Sequence, residues 1–278
     1  MNGRLGSARD NRRVPLSPRL AGYQNVILDL DGCVYVGDAL VPGADAAIAA
    51  LREHGAGIAF VTNDARRGPE EYVRKLWGLG VQASIAEIVS VGAALQHVLA
   101  ERPRTTTYVV GSPAVFRHVA DSGQRIVNGR PGEAAAELVV LAGHDELRFA
   151  ELRTATRAVL AGAELLAAGR DATFPTPDGP SPGTGALVAA VEYATGIRAR
   201  SVGKPEAQPF LTALDRLGTG RTLVVGDRLD SDLAGAAAAG LDGAIVLSGV
   251  TDATAAAAAR DPAPVAVAAT LRELVLDP

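Results

Sequence analysis

Asn25-Val26-Ile27-Leu28-Asp29-Leu30-Asp31-Gly32 is a short, mostly apolar run that leads straight into two acids. Apolar residues without alternation are the profile of a strand buried on both faces of a parallel sheet. Downstream, Pro42-Gly43 precedes an Ala-rich amphipathic helix over Ala44–Glu53, stopped by His54-Gly55. Gly57–Thr62 is a second buried strand, Pro69 opens a helix to about Trp77, and a helix over residues 86–99 follows, stopped by Pro103. Apolar runs at 108–111, 138–142 and 165–168 then alternate with helical stretches at 114–120 and 147–160, a second α/β set. Helices at 186–195, 205–217 and 231–239, with strands at Thr222–Gly226 and 244–247, bring the chain to an Ala-rich surface helix at 253–259. Strands alternating with helices imply parallel sheets covered on both faces. The polar, Arg- and Pro-containing stretch 1–22 reads as a loose tail.

The chain has 278 residues, enough for two domains, and 48% apolar residues supply a sizeable core. Net charge is −4 with no basic stripe, which argues against nucleic acid or an anionic membrane as the main partner. A single cysteine, Cys33, rules out an intrachain disulfide and fits the reducing cytoplasm. The first twenty residues lack the apolar core of a secretory signal, and no apolar stretch is long enough to span a membrane. Of 27 basic residues only Lys75 and Lys204 are lysine.

In open α/β sheets ligands sit beyond the carboxyl ends of the strands, so the residues following each apolar run carry the chemistry. Those residues are Asp29-Leu30-Asp31-Gly32, Thr62-Asn63-Asp64 and Gly226-Asp227, with Gly203-Lys204-Pro205 ahead of a helix. A carboxylate can attack phosphorus, splitting one displacement into two easier ones. It needs a hard divalent ion such as Mg²⁺ to approach an anionic phosphate. A second acid two positions on, Asp31, can protonate the leaving alkoxide and then deprotonate water. Gly32 permits a tight turn and could offer an N–H to phosphate. Two solvated acids capping a strand are the competing reading for Asp29 and Asp31, although acids directly after Val26-Ile27-Leu28 fit it poorly.

Thr62 and Asn63 can donate a hydroxyl and a backbone N–H to phosphate, or simply cap a turn. Lys204 can neutralise phosphoryl charge, and a lysine in an arginine-using chain suggests that a compact ammonium is required. Asp227 is placed to complete a metal shell and Asp232 to orient it or pair with Lys204, while Asp230 fits a helix cap. Pro182-Gly183-Thr184-Gly185, ahead of a helix, could hold an anion at that helix N-terminus, but it lacks the Gly-Lys-Ser/Thr ending of a P-loop and reads better as a simple turn. Cys33 reads as packing, and His54, His97, His118 and His144 have no metal-ligand spacing. An EF-hand is excluded because Gly32 is misplaced and no Glu closes the loop.

Four motifs occur in order: Leu28-Asp-Leu-Asp-Gly32 with Val34-Tyr35, Val61-Thr-Asn63, Gly203-Lys-Pro205 and Gly226-Asp-Arg-Leu-Asp-Ser-Asp232. With Asp171-Ala-Thr-Phe-Pro175, Pro182-Gly-Thr-Gly185 and Leu247-Ser-Gly-Val250, the chain from Tyr23 to Leu276 resembles the haloacid dehalogenase (HAD) superfamily. More narrowly, it resembles the class IIA, NagD-like and p-nitrophenyl-phosphate phosphatase group. The resemblance implies a Rossmann-like core (23–102 and 200–278) with a parallel sheet, and an inserted α/β C2-type cap (103–199). It implies Asp29 as nucleophile, Asp31 as acid/base and, through its carbonyl, a Mg²⁺ ligand with Asp29 and Asp227. Thr62 and Asn63 would hold phosphate, Lys204 would stabilise the intermediate, and Asp232 would support the cation and Lys204. The expected reaction is hydrolysis of a small phosphate ester.

Within the group the look is nearest the actinobacterial glycerol-3-phosphate phosphatases. Behind that substrate stand 2-phosphoglycolate, nucleoside monophosphates and sugar phosphates. A phosphotransferase and a non-catalytic phosphate-binding module are the other classes considered, and a homodimer through the cap is the expected assembly. Cys33 for an aliphatic, Ala168-Gly-Arg-Asp171 for Thr-Asn-x-Asp, and Gly196-Ile-Arg-Ala-Arg200 for Gly-Arg-x-Pro depart from the group's pattern, mainly in the cap.

Overall fold

The computed structural model describes residues 14–176 and 179–277. Asn25–Asp29 is buried at every position and lies inside a six-stranded sheet. From one edge the order is Ala266–Ala268, Asp242–Val246, Thr222–Gly226, Asn25–Asp29, Gly57–Thr62 and Ile88–Ser90. Every pairing is parallel, with Leu28 opposite both Val225 and Phe60 and Asp29 opposite Val61. The chain builds outward in both directions from Asn25–Asp29, so its carboxyl end is the point where the strand order reverses.

Both faces of this sheet are dry. Val26, Leu28, Phe60 and Val225 pack with Ile48 and Leu51 of the Ala44–Glu53 helix. Ile27, Ala59, Val61 and Val224 point the other way, against Phe210 and Ala213 of the Gln208–Leu217 helix. Burial on two faces is what the unalternating apolar runs encode.

A second sheet of five parallel strands has the order Arg200–Ser201, Glu164–Ala167, Leu138–Leu141, Thr106–Val110, Arg125–Ile126. Helices Phe149–Leu160 and Thr184–Thr195 cover one face through Ala155, Ala158, Val159, Leu187, Val188 and Val191. The other face packs Val109, Val140 and Leu166 against helices Val91–Ala100 and Pro113–Asp121. An antiparallel hairpin, Thr173–Thr176 with Gly179–Pro182, hangs from this unit. The architecture is a Rossmann-like parallel core, with the second α/β unit inserted in the chain between Ile88–Ser90 and Thr222–Gly226. Among the described residues no helix is long and apolar enough to cross a membrane.

Four expectations need correction. The helix expected over 86–99 is a 3-10 turn at Ile85–Glu87, a strand at Ile88–Ser90 and a helix only from Val91. Glu87 closes the turn by accepting from Ser84 N at 2.7 Å, Ile88 and Val89 pair with Phe60 and Val61, and the Ser90 hydroxyl caps the helix at Ala93 N. The helix expected from Pro205 starts at Gln208, after a turn in which Glu206 N donates to Gly203 O at 3.0 Å. The helix expected over 231–239 opens with a π-helical turn, Leu229–Leu233, that turns Asp232 inward. The loose tail is an expectation that, for residues 1–13, lies outside the described residues; residues 14–22 are docked. Ser17 N donates to Val275 O at 2.8 Å and Leu16 bridges Leu276.

Glu192 ties three segments of the second unit. Its carboxylate accepts from Arg170 at 2.6 Å, from Arg198 at 3.0 Å and from Ala199 N at 2.8 Å. The Arg170 bond foremost holds its pKa at about 2, below the ordinary 4.5. Glu192→Gln is expected to lower stability at pH 7 by about 1–2 kcal/mol, read by urea unfolding. A depressed folded-state pKa gives stability that is full above the unfolded value and is lost as pH falls through the folded one. The gap between wild type and variant should therefore close from pH 4.5 down to about 2; a gap constant over that window would rule the assignment out.

Candidate active site

Lys204 and Asp29 meet at the carboxyl edge of the six-stranded sheet. The Lys204 ammonium lies 2.5 Å from Asp29 Oδ1 and 2.6 Å from Asp232 Oδ1, and all three residues are buried. Asp227, one residue past Thr222–Gly226, joins them: one carboxylate oxygen each from Asp29, Asp227 and Asp232 lies within 4.8 Å of the others. One ammonium faces three carboxylates, so the pocket holds an excess of negative charge.

The titration behaviour follows from that imbalance. Burial pushes Asp29 up against the pull of Lys204, and the charges of Asp232 and Asp227 add to the push. Burial and then Asp232 raise Asp227 to about 6. Burial alone would lower Lys204, but Asp232 and Asp29 hold its pKa above the ordinary value, so it remains an ammonium.

Asp227 Oδ2 accepts from Val250 N at 2.7 Å, whereas its buried Oδ1 has no hydrogen-bond partner. An orphaned carboxylate oxygen beside two others, in a pocket short of positive charge, suits a hard cation with oxygen ligands; Mg²⁺ fits this donor set. Gly32 makes the cluster sterically feasible. At φ +86° it carries no Cβ, and one placed there would lie 2.4 Å from Asp227 Oδ2.

The remaining expected residues fall as follows. Asp31 keeps solvent contact at the mouth of the pocket, and its carboxyl is not part of the trio. Partial desolvation pushes its pKa up, against Lys75 and a Gly37 N–H that favour the carboxylate. Buried Thr62 accepts from Asp64 N at 3.1 Å, which leaves its hydroxyl hydrogen free to donate. Gly32, expected to offer its N–H to phosphate, donates that N–H to Tyr35 O at 2.7 Å in this structure, and its missing Cβ leaves room for Asp227.

Asn63 uses its side-chain amide on the Lys204 backbone and on Asp171. Cys33 is fully buried and its thiol is pushed up, by burial first, so it packs. The 182–185 turn opens the Thr184–Thr195 helix, and its groups are met internally: Thr184 Oγ1 accepts from Gly143 N and Gly185 N donates to Asp171 O.

Several positioning groups escaped the reading of single residues. Ser248 donates to Gly32 O at 2.6 Å, so the 247–250 run pins the Asp31-Gly32 turn as well as Asp227. Arg66, paired with Asp64 at 2.8 Å, stacks on Phe174 of the hairpin at 3.7 Å and bridges the two units. Ser248 was signalled only by its place in the 247–250 run, and Arg66 lies in none of the motifs.

The chain belongs to the haloacid dehalogenase-like hydrolases. The profile described as haloacid dehalogenase-like hydrolase matches residues 26–125, and a second, HAD-hydrolase-like, matches residues 201–274. Among individual proteins, it is 37% identical over 233 residues to the D-glycerol 3-phosphate phosphatase of Mycobacterium tuberculosis. That match covers 82% of this chain and 64% of the relative, so the chain spans less than two thirds of its length. It is 30% identical over 232 residues to an acid sugar phosphatase of Staphylococcus epidermidis, covering 82% and 88% of the two chains. The crystal structure of a glycerol phosphate phosphatase from Mycobacterium tuberculosis in complex with magnesium superposes with a TM-score of 0.87 at 35% identity, covering 95% of this chain and 79% of that one.

Mg²⁺ at about 100 times its dissociation constant should stabilise the folded protein by about 2.7 kcal/mol, a rise in Tm of about 5–10 °C. Asp227→Asn should abolish most of that rise. Without metal the variant should melt no lower than wild type, since it removes a repelled carboxylate and keeps an acceptor for Val250 N. Thermal melts with and without Mg²⁺ check both; a full Mg²⁺ response in the variant would remove Asp227 from the cation's shell.

Proposed function

We propose that this protein is a Mg²⁺-dependent phosphomonoesterase that works through an aspartyl phosphate on Asp29, with glycerol 3-phosphate as its substrate. The observation that carries the reading is the buried Lys204 ammonium shared by Asp29 and Asp232 beside the orphaned Asp227 oxygen.

Asp29 attacks phosphorus while the bond to the leaving oxygen breaks. Asp31, at the mouth with a raised pKa, gives its proton to that oxygen. As a carboxylate it then takes a proton from water, whose oxygen attacks the phosphorus of the acyl phosphate, freeing inorganic phosphate and Asp29. Lys204 balances charge on the transferring phosphoryl group, with the Thr62 hydroxyl and the Asn63 N–H on its oxygens. The Asp29 and Asp227 carboxylates and the Asp31 carbonyl, with Asp232 behind them, would hold Mg²⁺, which would supply the charge that lets an anionic nucleophile approach an anionic phosphate.

Residues 103–199 act as the cap over a core of 23–102 and 200–278, excluding water and selecting the alcohol. The mycobacterial relative's name supports glycerol 3-phosphate and the staphylococcal one's supports sugar phosphates as the next class; 2-phosphoglycolate and nucleoside monophosphates follow. A cytoplasmic location agrees with the buried free thiol of Cys33. Exposed Phe149, Leu160 and Tyr193 on the cap agree with a homodimer through that unit.

Asp29→Asn should cut kcat/KM for p-nitrophenyl phosphate by roughly 10³-fold or more. Turnover like wild type would end the mechanism. On a panel of phosphate esters, glycerol 3-phosphate should give the highest kcat/KM; a sugar phosphate above it would reassign the substrate and leave the chemistry standing.

A further inference from the structure

Asn63 follows Thr62 at a strand end aimed at the phosphate site, yet its side chain is fully committed elsewhere. Its Oδ1 accepts from Lys204 N at 2.8 Å, and its Nδ2 donates to Lys204 O at 3.0 Å and to Asp171 Oδ2 at 2.9 Å. One amide thus holds both polar backbone groups of Lys204, as a neighbouring strand would. Only one orientation of the amide does this, with oxygen toward the N–H and nitrogen toward the carbonyl. Asp171 enforces that orientation, because an ionised carboxylate accepts only and would repel the amide oxygen.

The fit is close on every side. A Cβ on Gly203 would lie 2.4 Å from Ala168 O and 2.8 Å from Asn63 Oδ1, so the segments at 63, 168–171 and 203–204 interlock with no spare room. The consequence falls on the ammonium. Lys204 carries its charge on a flexible four-carbon stem, and contacts of 2.5 and 2.6 Å to Asp29 and Asp232 survive only if the base of the stem is fixed.

We propose that Asn63 is a positioning residue for Lys204, and that Asp171 holds the Asn63 amide in the one orientation that does this. The seat of the ammonium therefore depends on the 168–171 segment of the second unit being docked on the core. The inference rests on the phosphatase reading above.

The test is steady-state hydrolysis of p-nitrophenyl phosphate and of glycerol 3-phosphate, saturated with Mg²⁺, with a thermal melt of each protein. Asn63→Ala should lower kcat about 10²-fold while KM stays within about threefold, as expected when a group acts on the transition state and not on bound substrate. Asp171→Ala should lower kcat about tenfold on both esters. Asp171→Asn, whose amide oxygen can accept the same bond, should return to within about threefold of wild type. Asn63→Ala/Asp171→Ala should be no worse than Asn63→Ala within about twofold, because the two residues act in series.

Multiplying losses in the double variant would overturn the proposal, as would an Asp171→Asn protein as impaired as Asp171→Ala. A tenfold rise in KM at unchanged kcat in Asn63→Ala would return that side chain to the phosphate. A loss in Asp171→Ala confined to glycerol 3-phosphate would make Asp171 a substrate contact instead. Wild type without phosphate release, or Asp29→Asn retaining it, sinks the enzymatic reading itself; active wild type with multiplying losses sinks only this inference.

Discussion

A buried ammonium shared by two buried carboxylates is the constraint around which the rest of the molecule is arranged. Removing such ions from water costs several kcal/mol each, and only close, well-directed contacts offset it. Lys204 finds those contacts in residues that are remote in sequence: Asp29 lies 175 positions away and Asp232 lies 28. They meet because Asn25–Asp29 and Thr222–Gly226 are parallel neighbours whose carboxyl ends share one edge. The charge cluster therefore forms only after both halves of the sheet have closed, and the third carboxylate, Asp227, leaves it needing a cation.

The same constraint explains where the inserted unit attaches. The chain returns from the second sheet through Arg200–Ser201, Val202 N still donates to Ala167 O at 3.0 Å, and Lys204 follows two residues later. The ammonium thus stands at the junction of the two units. On the outward side the Val91–Ala100 helix packs its apolar face against the second sheet and against Pro113–Asp121. The second unit is thus anchored by an apolar helix on one crossing and meets the Lys204 backbone on the other, through Asn63 and Asp171.

Much of this was legible in the sequence where a residue's chemistry clashes with its local setting. Acids directly after Val26-Ile27-Leu28 and Val224-Val225-Gly226 marked the sheet edge and two of the three carboxylates. What was not legible depends on partners far along the chain. Asn63 looks like a phosphate or capping residue until Lys204 and Asp171 stand beside it, and nothing within ten residues of Gly32 forecasts that Asp227 will fill the space above its Cα. Short elements failed for a related reason: Ile88–Ser90 has three residues, too few for a period, and is a strand only because Phe60 and Val61 offer an edge.

The use of lysine sharpens the point about local setting. In a chain whose other basic residues are all arginine, both lysines serve the same turn. Lys204 reaches Asp29 at its start, and Lys75 reaches its far side, donating to Gly37 O at 2.6 Å, lying 3.3 Å from Asp38 and 4.0 Å over the Tyr35 ring. At each place a compact charge meets several acceptors at short range from different directions, a geometry that the planar fork of a guanidinium does not match. Lys75 also favours the carboxylate form of Asp31, opposing the partial desolvation that raises it. The two ammonium groups thus act on the two acids of the Asp29-Leu30-Asp31 run, one in the dry pocket and one at its wet rim. The two acids of one short run thus sit in opposite settings, Asp29 buried against Lys204 and Asp31 open to water beside Lys75.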